Sequence, residues 1–242
     1  MRKLFLFIVC FILFGVGIKA QRFPQAVLPG DYPDPSILRD GKNYYMTHSP
    51  FYYAPGFLIW HSTDLIHWEP VCRALPEYEG SAMAPDLLKY QGRYYIYYPT
   101  STGENFVIYA DNIRGPWSKP VKLDVKGIDP GHVVGEDGKR YLFTNNGWIT
   151  PLSDDGLKVT GKSRKVYDGW EYPANWVTEG KDMYLESPKL LYKDGYYYMM
   201  SAEGGTAGPA TSHMCVVARS KSVFGPWRNE YLTAAQELRH GN

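Results

Sequence analysis

A pattern of proline, short apolar strand, turn glycine and tyrosine-rich return strand occurs four times along this chain, and a repeat of whole units restricts the fold more than any other feature of the sequence. The copies align on Pro35, Pro85, Pro130 and Pro188, at spacings of 50, 45 and 58 residues. A turn glycine follows each proline, at Gly41, Gly92, Gly138 and Gly195, and aspartates precede three of them, Asp40, Asp137 and Asp194. Asp-Gly between two β-like runs predicts a hairpin, because a type I′ turn needs positive φ at both central residues. The return runs, Tyr44-Tyr45-Met46, Tyr94 to Tyr98, Tyr141-Leu142-Phe143 and Tyr196 to Met200, are short, aromatic and bounded by turns, which marks them as strands. A third strand follows near 58–62, 106–110 and 215–219, and Gly115-Pro116-Trp117 and Gly225-Pro226-Trp227 stand at equivalent places, with Trp68 in that role in the first copy. Antiparallel units of three or four strands at a period of roughly 40–50 residues, with no helical pattern between them, predict an all-β fold, a β-propeller. A β-sandwich would leave the whole-unit similarity unexplained. The third copy is longer than the others and is expected to carry an insertion from about Ile149 to Asp182, with Trp170 and Trp176, in a loop on the binding face.

The repeat is preceded by a segment of another kind. Arg2 and Lys3 lead into an apolar run from Leu4 to Ile18, and Ala20 offers a small residue for cleavage before Gln21, so residues 1–20 read as a secretory signal peptide and 21–242 as the exported domain, periplasmic or extracellular. The run is short for a spanning helix, and no later segment is apolar enough to cross a bilayer. Residues 1–20 hold Arg2, Lys3 and Lys19 and no acidic residue, which leaves 23 basic against 25 acidic side chains. That balance gives no footing for nucleic acid or an anionic membrane as partner. Aromatic residues make up 16% of the chain, enough for both a core and rings that stack on a ligand. Cys72 and Cys215, the cysteines outside the leader, do not make a disulfide framework, and the sequence does not specify an oligomeric state.

In a propeller the first strand of each blade lines the central channel, so equivalent positions of different blades converge on one small volume. Asp34, Ala84, Asp129 and Ser187 stand immediately before the aligning prolines, and Pro33, Met83, Ile128 and Glu186 one residue earlier. Three of the four blades therefore aim a carboxylate at the channel mouth. Singly, Asp34 and Asp129 read equally well as turn caps before strands; as three matched positions they read as a site. Carboxylates around one cavity repel, and repulsion raises the pKa of at least one of them, as a general acid near neutral pH requires. Tyr52, Tyr53 and Trp60 after the first return strand, and Trp148 after the third, are placed to stack on a ligand or to pack between blades. Of the six histidines, none shows metal-ligand spacing, and only His132 lies on a channel-lining strand near enough to approach a substrate. Asp86 is out of register with Asp34 and Asp129 and reads as structural. Glu203, before two glycines, reads as a solvated loop carboxylate.

The motifs Tyr-Pro-Asp34-Pro-Ser, Gly-Ile-Asp129-Pro and Glu186-Ser-Pro-Lys-Leu, in this order, resemble glycoside hydrolase family 43, the five-bladed β-propellers that act on arabinose- and xylose-containing polysaccharides. The likeness runs from about Asp31 to Leu232; Ser187 stands where the family usually has glycine, and Met83 where tryptophan is common. The resemblance implies Asp34 as general base, Glu186 as general acid and Asp129 as the aspartate that tunes and orients the acid. It implies hydrolysis of O-glycosidic bonds with inversion, for which the working carboxyls stand about 6.5–9.5 Å apart, against about 5–5.5 Å in retaining enzymes. It implies an oligo- or polysaccharide substrate of the arabinofuranosidase or xylosidase kind and no cofactor for the chemistry. The family's structural calcium belongs to a fifth blade. Four blades are legible here, so the domain reads as C-terminally incomplete, and a carbohydrate-binding propeller without turnover, or an inactive fragment, is the alternative.

Overall fold

A computed structural model describes residues 26–78, 80–171, 184–204 and 214–229. The chain divides into two units, Met1–Gly30 and Asp31–Asn242, and all four repeats lie in the second. Each copy is an antiparallel meander. The first blade is β1 (Ser36–Asp40), β2 (Asn43–Thr47), β3 (Gly56–Ser62) and β4 (Glu69–Leu75); the second is β5 (Asp86–Tyr90), β6 (Arg93–Pro99), β7 (Asn105–Ala110) and β8 (Val121–Leu123). The third comprises β9 (Gly131–Val134), β10 (Arg140–Thr144), β11 (Trp148–Pro151) and β12 (Arg164–Lys165), and the fourth β13 (Tyr184–Lys193), β14 (Tyr196–Gly204) and β15 (Met214–Ser220). The first strands are neighbours in the order β1, β5, β9, β13, so the four sheets are the blades of a β-propeller with these strands innermost.

Hairpins join the first and second strands where the turn glycines predict them, by turns of more than one kind. Gln91-Gly92 and Asp194-Gly195 both have positive φ at each residue, as type I′ requires. In the first blade Asp40 pairs with Asn43, and of the two residues between them only Gly41 has positive φ. In the third blade Val134 pairs with Arg140 across a longer loop in which Gly138 takes that role. The expected insertion begins later than Ile149, because Trp148–Pro151 and Arg164–Lys165 are the third and fourth strands of that blade. The excursion between them is closed by a bridge from Leu152 to Val159, and Ile149 and Thr150 are buried. Trp176 lies outside the described residues. Both cysteines are free thiols, Cys72 donating to the Ile113 carbonyl at 3.3 Å.

The core is stacked between blades, and the period of two along each second strand decides which interface a residue joins. On β6, Tyr94, Ile96 and Tyr98 pack with Phe57 and Ile59 of the first blade. The alternate residues Tyr95 and Tyr97 pack with Leu142 and Leu152 of the third. On β10, Tyr141 and Phe143 turn the other way, toward Tyr197 and Met199 of β14.

Near the axis the blades are tied at a single register, the residue after each aligning proline. The Ser36 hydroxyl accepts the Leu87 amide at 2.9 Å, and Asp86 Oδ2 accepts the His132 amide at 2.8 Å. Gly131 leaves this space empty for the next blade: a Cβ there would sit 1.7 Å from the Pro188 carbonyl oxygen. Lys189, the fourth member, donates to Asp86 Oδ1 at 3.0 Å and to the Pro130 and Pro85 carbonyls at 2.8 and 3.3 Å, joining three blades. A methionine fills the same length without a donor and leaves Asp86 with one partner fewer. Lys189→Met is therefore expected to lower stability by about 2 kcal/mol, read from the urea midpoint at constant m-value.

Candidate active site

The four residues before the aligning prolines share an uncommon backbone. Asp34, Ala84, Asp129 and Ser187 have φ of 53, 39, 58 and 49°. Aspartate visits this left-handed region more readily than most residues, whereas alanine and serine gain nothing there, so the repeat imposes the kink. In the fourth blade the kink is also a bulge. The register of β13 against β14 shifts between Glu186 and Lys189, and Glu186, before the shift, is opposite Ala202. A bulge re-aims the residues beside it, which accounts for an acid one position ahead of the two aspartates.

Two of the matched carboxylates, Glu186 and Asp34, act by charge on the third, Asp129. Asp129 is buried and its carboxyl is pushed up to about 6, first by burial and then by the negative charges of Glu186 and Asp34. The Ser187 amide, 3.3 Å from Asp129 Oδ2, and the Lys189 ammonium pull in the opposite direction. Asp34 is exposed, and its Oδ2 accepts a short hydrogen bond from Ser49.

Residues with no local signal hold the segment ahead of Asp129. Asn105 Nδ2 donates to the Gly127 and Val125 carbonyls at 2.7 and 3.2 Å, and Thr144 Oγ1 donates to that of Lys126 at 2.6 Å. Asn145 Oδ1 accepts the Ile128 amide at 3.0 Å, while the Asn145 amide donates to the Ile128 carbonyl at 2.8 Å. Gly127 is required here, because a Cβ would stand 2.4 Å from Asn145 Oδ1.

The aromatic candidates separate into two groups. Tyr52 and Tyr53 are 75% and 80% exposed, so they do not pack between blades. Their loop is pinned to the second blade by the Phe51 amide, which donates to the Ala82 carbonyl at 2.9 Å. Trp60 is buried, edge-on to Tyr32 at 5.4 Å, and Tyr32 is in turn edge-on to His48 at 4.9 Å. Trp148 is half-buried with the Lys126 ammonium 3.9 Å over its ring. His132 stacks on Tyr97 at 5.9 Å, and its Nε2 accepts from Arg140 Nε at 2.9 Å. Burial and the Arg140 charge push its pKa down to about 3, so the ring is neutral and engaged at the interface of the second and third blades. Glu203, expected in solvent, is buried instead: it accepts the Ser201 hydroxyl at 2.9 Å and the Trp170 amide at 2.8 Å. Its register on the blade-three face of β14, opposite Leu185, puts it inside. Among the described residues no group of three or more His, Cys, Asp or Glu is arranged to hold a metal ion.

The sequence profile described as Glycosyl hydrolases family 43 matches residues 23–238. The chain belongs to this family. Relatives agree with the match: a xylosidase/arabinosidase of Butyrivibrio fibrisolvens is 34% identical over 82% of the chain, and a non-reducing end α-L-arabinofuranosidase of Bacteroides ovatus is 31% identical over 93%. The crystal structure of a xylan β-1,4-xylosidase from Bacillus halodurans superposes with a TM-score of 0.72 at 33% identity, over 86% of this chain and 43% of that one. The chain spans less than half the length of these relatives, 41% and 44% of the two enzymes.

Proposed function

We propose that this family 43 chain hydrolyses O-glycosidic bonds of arabinose- or xylose-containing oligo- and polysaccharides in a single inverting displacement. The observation that carries the reading is that Asp34, Asp129 and Glu186, from three blades, share one site, in which Asp129 is raised by burial and by the negative charges of the other two. Asp34, exposed and held by Ser49, takes a proton from the attacking water. Glu186 protonates the departing oxygen, and Asp129 sets the charge beside it. The names of the relatives support xylosides and arabinofuranosides as the first substrates to try. Release from 4-nitrophenyl β-D-xyloside or α-L-arabinofuranoside, reduced to a small residual rate in Asp34→Ala, is the expected result. Binding of oligosaccharide without turnover would leave a carbohydrate-binding propeller. Proton NMR of the first sugar released distinguishes inversion from retention. The basic and apolar leader at residues 1–20 makes export part of the same proposal.

The exposed pair Tyr52 and Tyr53 belongs to the part of the site that holds the remainder of the substrate. Stacking on a sugar face contributes about 1 kcal/mol. Tyr52→Ala and Tyr53→Ala are each expected to raise KM for xylotetraose or arabinotetraose about fivefold and to leave that for the nitrophenyl monosaccharide unchanged. Equal effects on both substrates would remove this assignment.

A further inference from the structure

The base proposed above is held by a residue that no motif marks. Ser49 lies just beyond β2, is 3% exposed, and donates its amide to the Pro33 carbonyl at 2.9 Å, immediately beside Asp34. Its hydroxyl oxygen accepts the Ala84 amide at 2.6 Å and makes the short contact to Asp34 Oδ2. The direction of both bonds follows from chemistry: an amide only donates, so the single hydroxyl proton goes to the carboxylate. Ala84 is the blade-two counterpart of Asp34, with the same left-handed backbone before the same proline. Ser49 therefore links two matched positions of the repeat. The blade that lacks a carboxylate contributes an amide instead, relayed through this hydroxyl.

We infer that Ser49 is the positioning residue of the base, committing Asp34 Oδ2 to the protein so that Oδ1 faces the attacking water. The inference rests on Asp34 being the base. A hydrogen bond to a carboxylate bears on where that carboxylate points and on its readiness to accept a proton, and not on how the sugar binds. The expected signature is a loss in kcat with KM retained. The geometry also requires the hydroxyl and not merely the volume, because a methyl group can neither accept from Ala84 nor donate to Asp34.

The test is kinetic, on the full chain, with 4-nitrophenyl glycoside as substrate. Ser49→Ala is expected to lower kcat about 10–100-fold, the worth of one hydrogen bond to a charged group, with KM within about twofold. Ser49→Thr keeps the hydroxyl and is expected to recover most of that loss, and urea midpoints identify any variant whose fold is weakened. In an Asp34→Ala background, adding Ser49→Ala is expected to change the residual rate by less than about twofold, because a residue that acts through Asp34 has nothing left to position. A further drop there, or full kcat in Ser49→Ala while Asp34→Ala is inactive, overturns the inference. An Asp34→Ala variant that turns over at close to the parent rate overturns the assignment of the base itself, and this inference with it.

Discussion

Replacing Glu186 by glutamine is expected to lower kcat/KM on xylo- or arabino-oligosaccharides by about 10³–10⁴-fold, toward the upper end of what a general acid contributes. Glu186 sits at the last regular position of β13 before the register shift, so a glutamine of the same size keeps the strand and removes only the transferable proton. The loss should depend on the leaving group. A sugar alkoxide leaves poorly unless protonated, whereas a nitrophenolate carries its own charge, so the same variant should lose no more than about 10²-fold on the nitrophenyl glycoside. Asp34→Ala behaves differently, because activation of water is needed whatever departs, and its loss should be large and equal on both substrates. The measurement is the ratio of kcat/KM values across the two substrates for each variant. A Glu186 variant with a loss independent of leaving group would deny it the role of acid, and the reading of the three carboxylates would have to be reassigned.

Those carboxylates were legible because a propeller converts equivalence along the chain into convergence in space. Asp34, Asp129 and Glu186 are far apart in sequence, and only the alignment on four prolines brings them to one axis. The same alignment conceals what a single residue type does not announce. Nothing in Ala84 or Ser187 signals a left-handed backbone, yet both adopt the φ of the aspartates they match. Gln91-Gly92 forms a type I′ turn without the aspartate that marks such turns, whereas Asp40 closes a strand. His132 and Trp148 are candidates by position, but other side chains engage their rings: Arg140 and Tyr97 hold His132, and Lys126 covers Trp148. Ser49 and the clamps Asn105, Thr144 and Asn145 act only through partners that pair once the sheets exist. Positions that repeat could be read from the chain; the contacts that hold each of them differ between blades and could not.

Asp129, buried and beside two other acids, has a cost to the fold that can be measured apart from catalysis. A buried carboxyl raised from its ordinary 3.8 to about 6 binds its proton more tightly in the folded than in the unfolded chain. Its contribution to stability is therefore intact below pH 3.8 and lost as pH rises through about 6. Above that point the folded molecule carries an ionised group that burial, Glu186 and Asp34 all oppose, at a cost of about 3 kcal/mol. Asparagine has the shape of the protonated acid and still accepts the Ser187 amide. Asp129→Asn should accordingly be more stable than the parent at pH 8 by up to about 3 kcal/mol, and indistinguishable from it near pH 4, while its turnover collapses for want of the charge beside Glu186. Paired urea titrations at the two pH values test this directly. A difference of the same size at both would mean that the substitution changes packing and not protonation, and that the charge coupling of the site is weaker than its geometry requires.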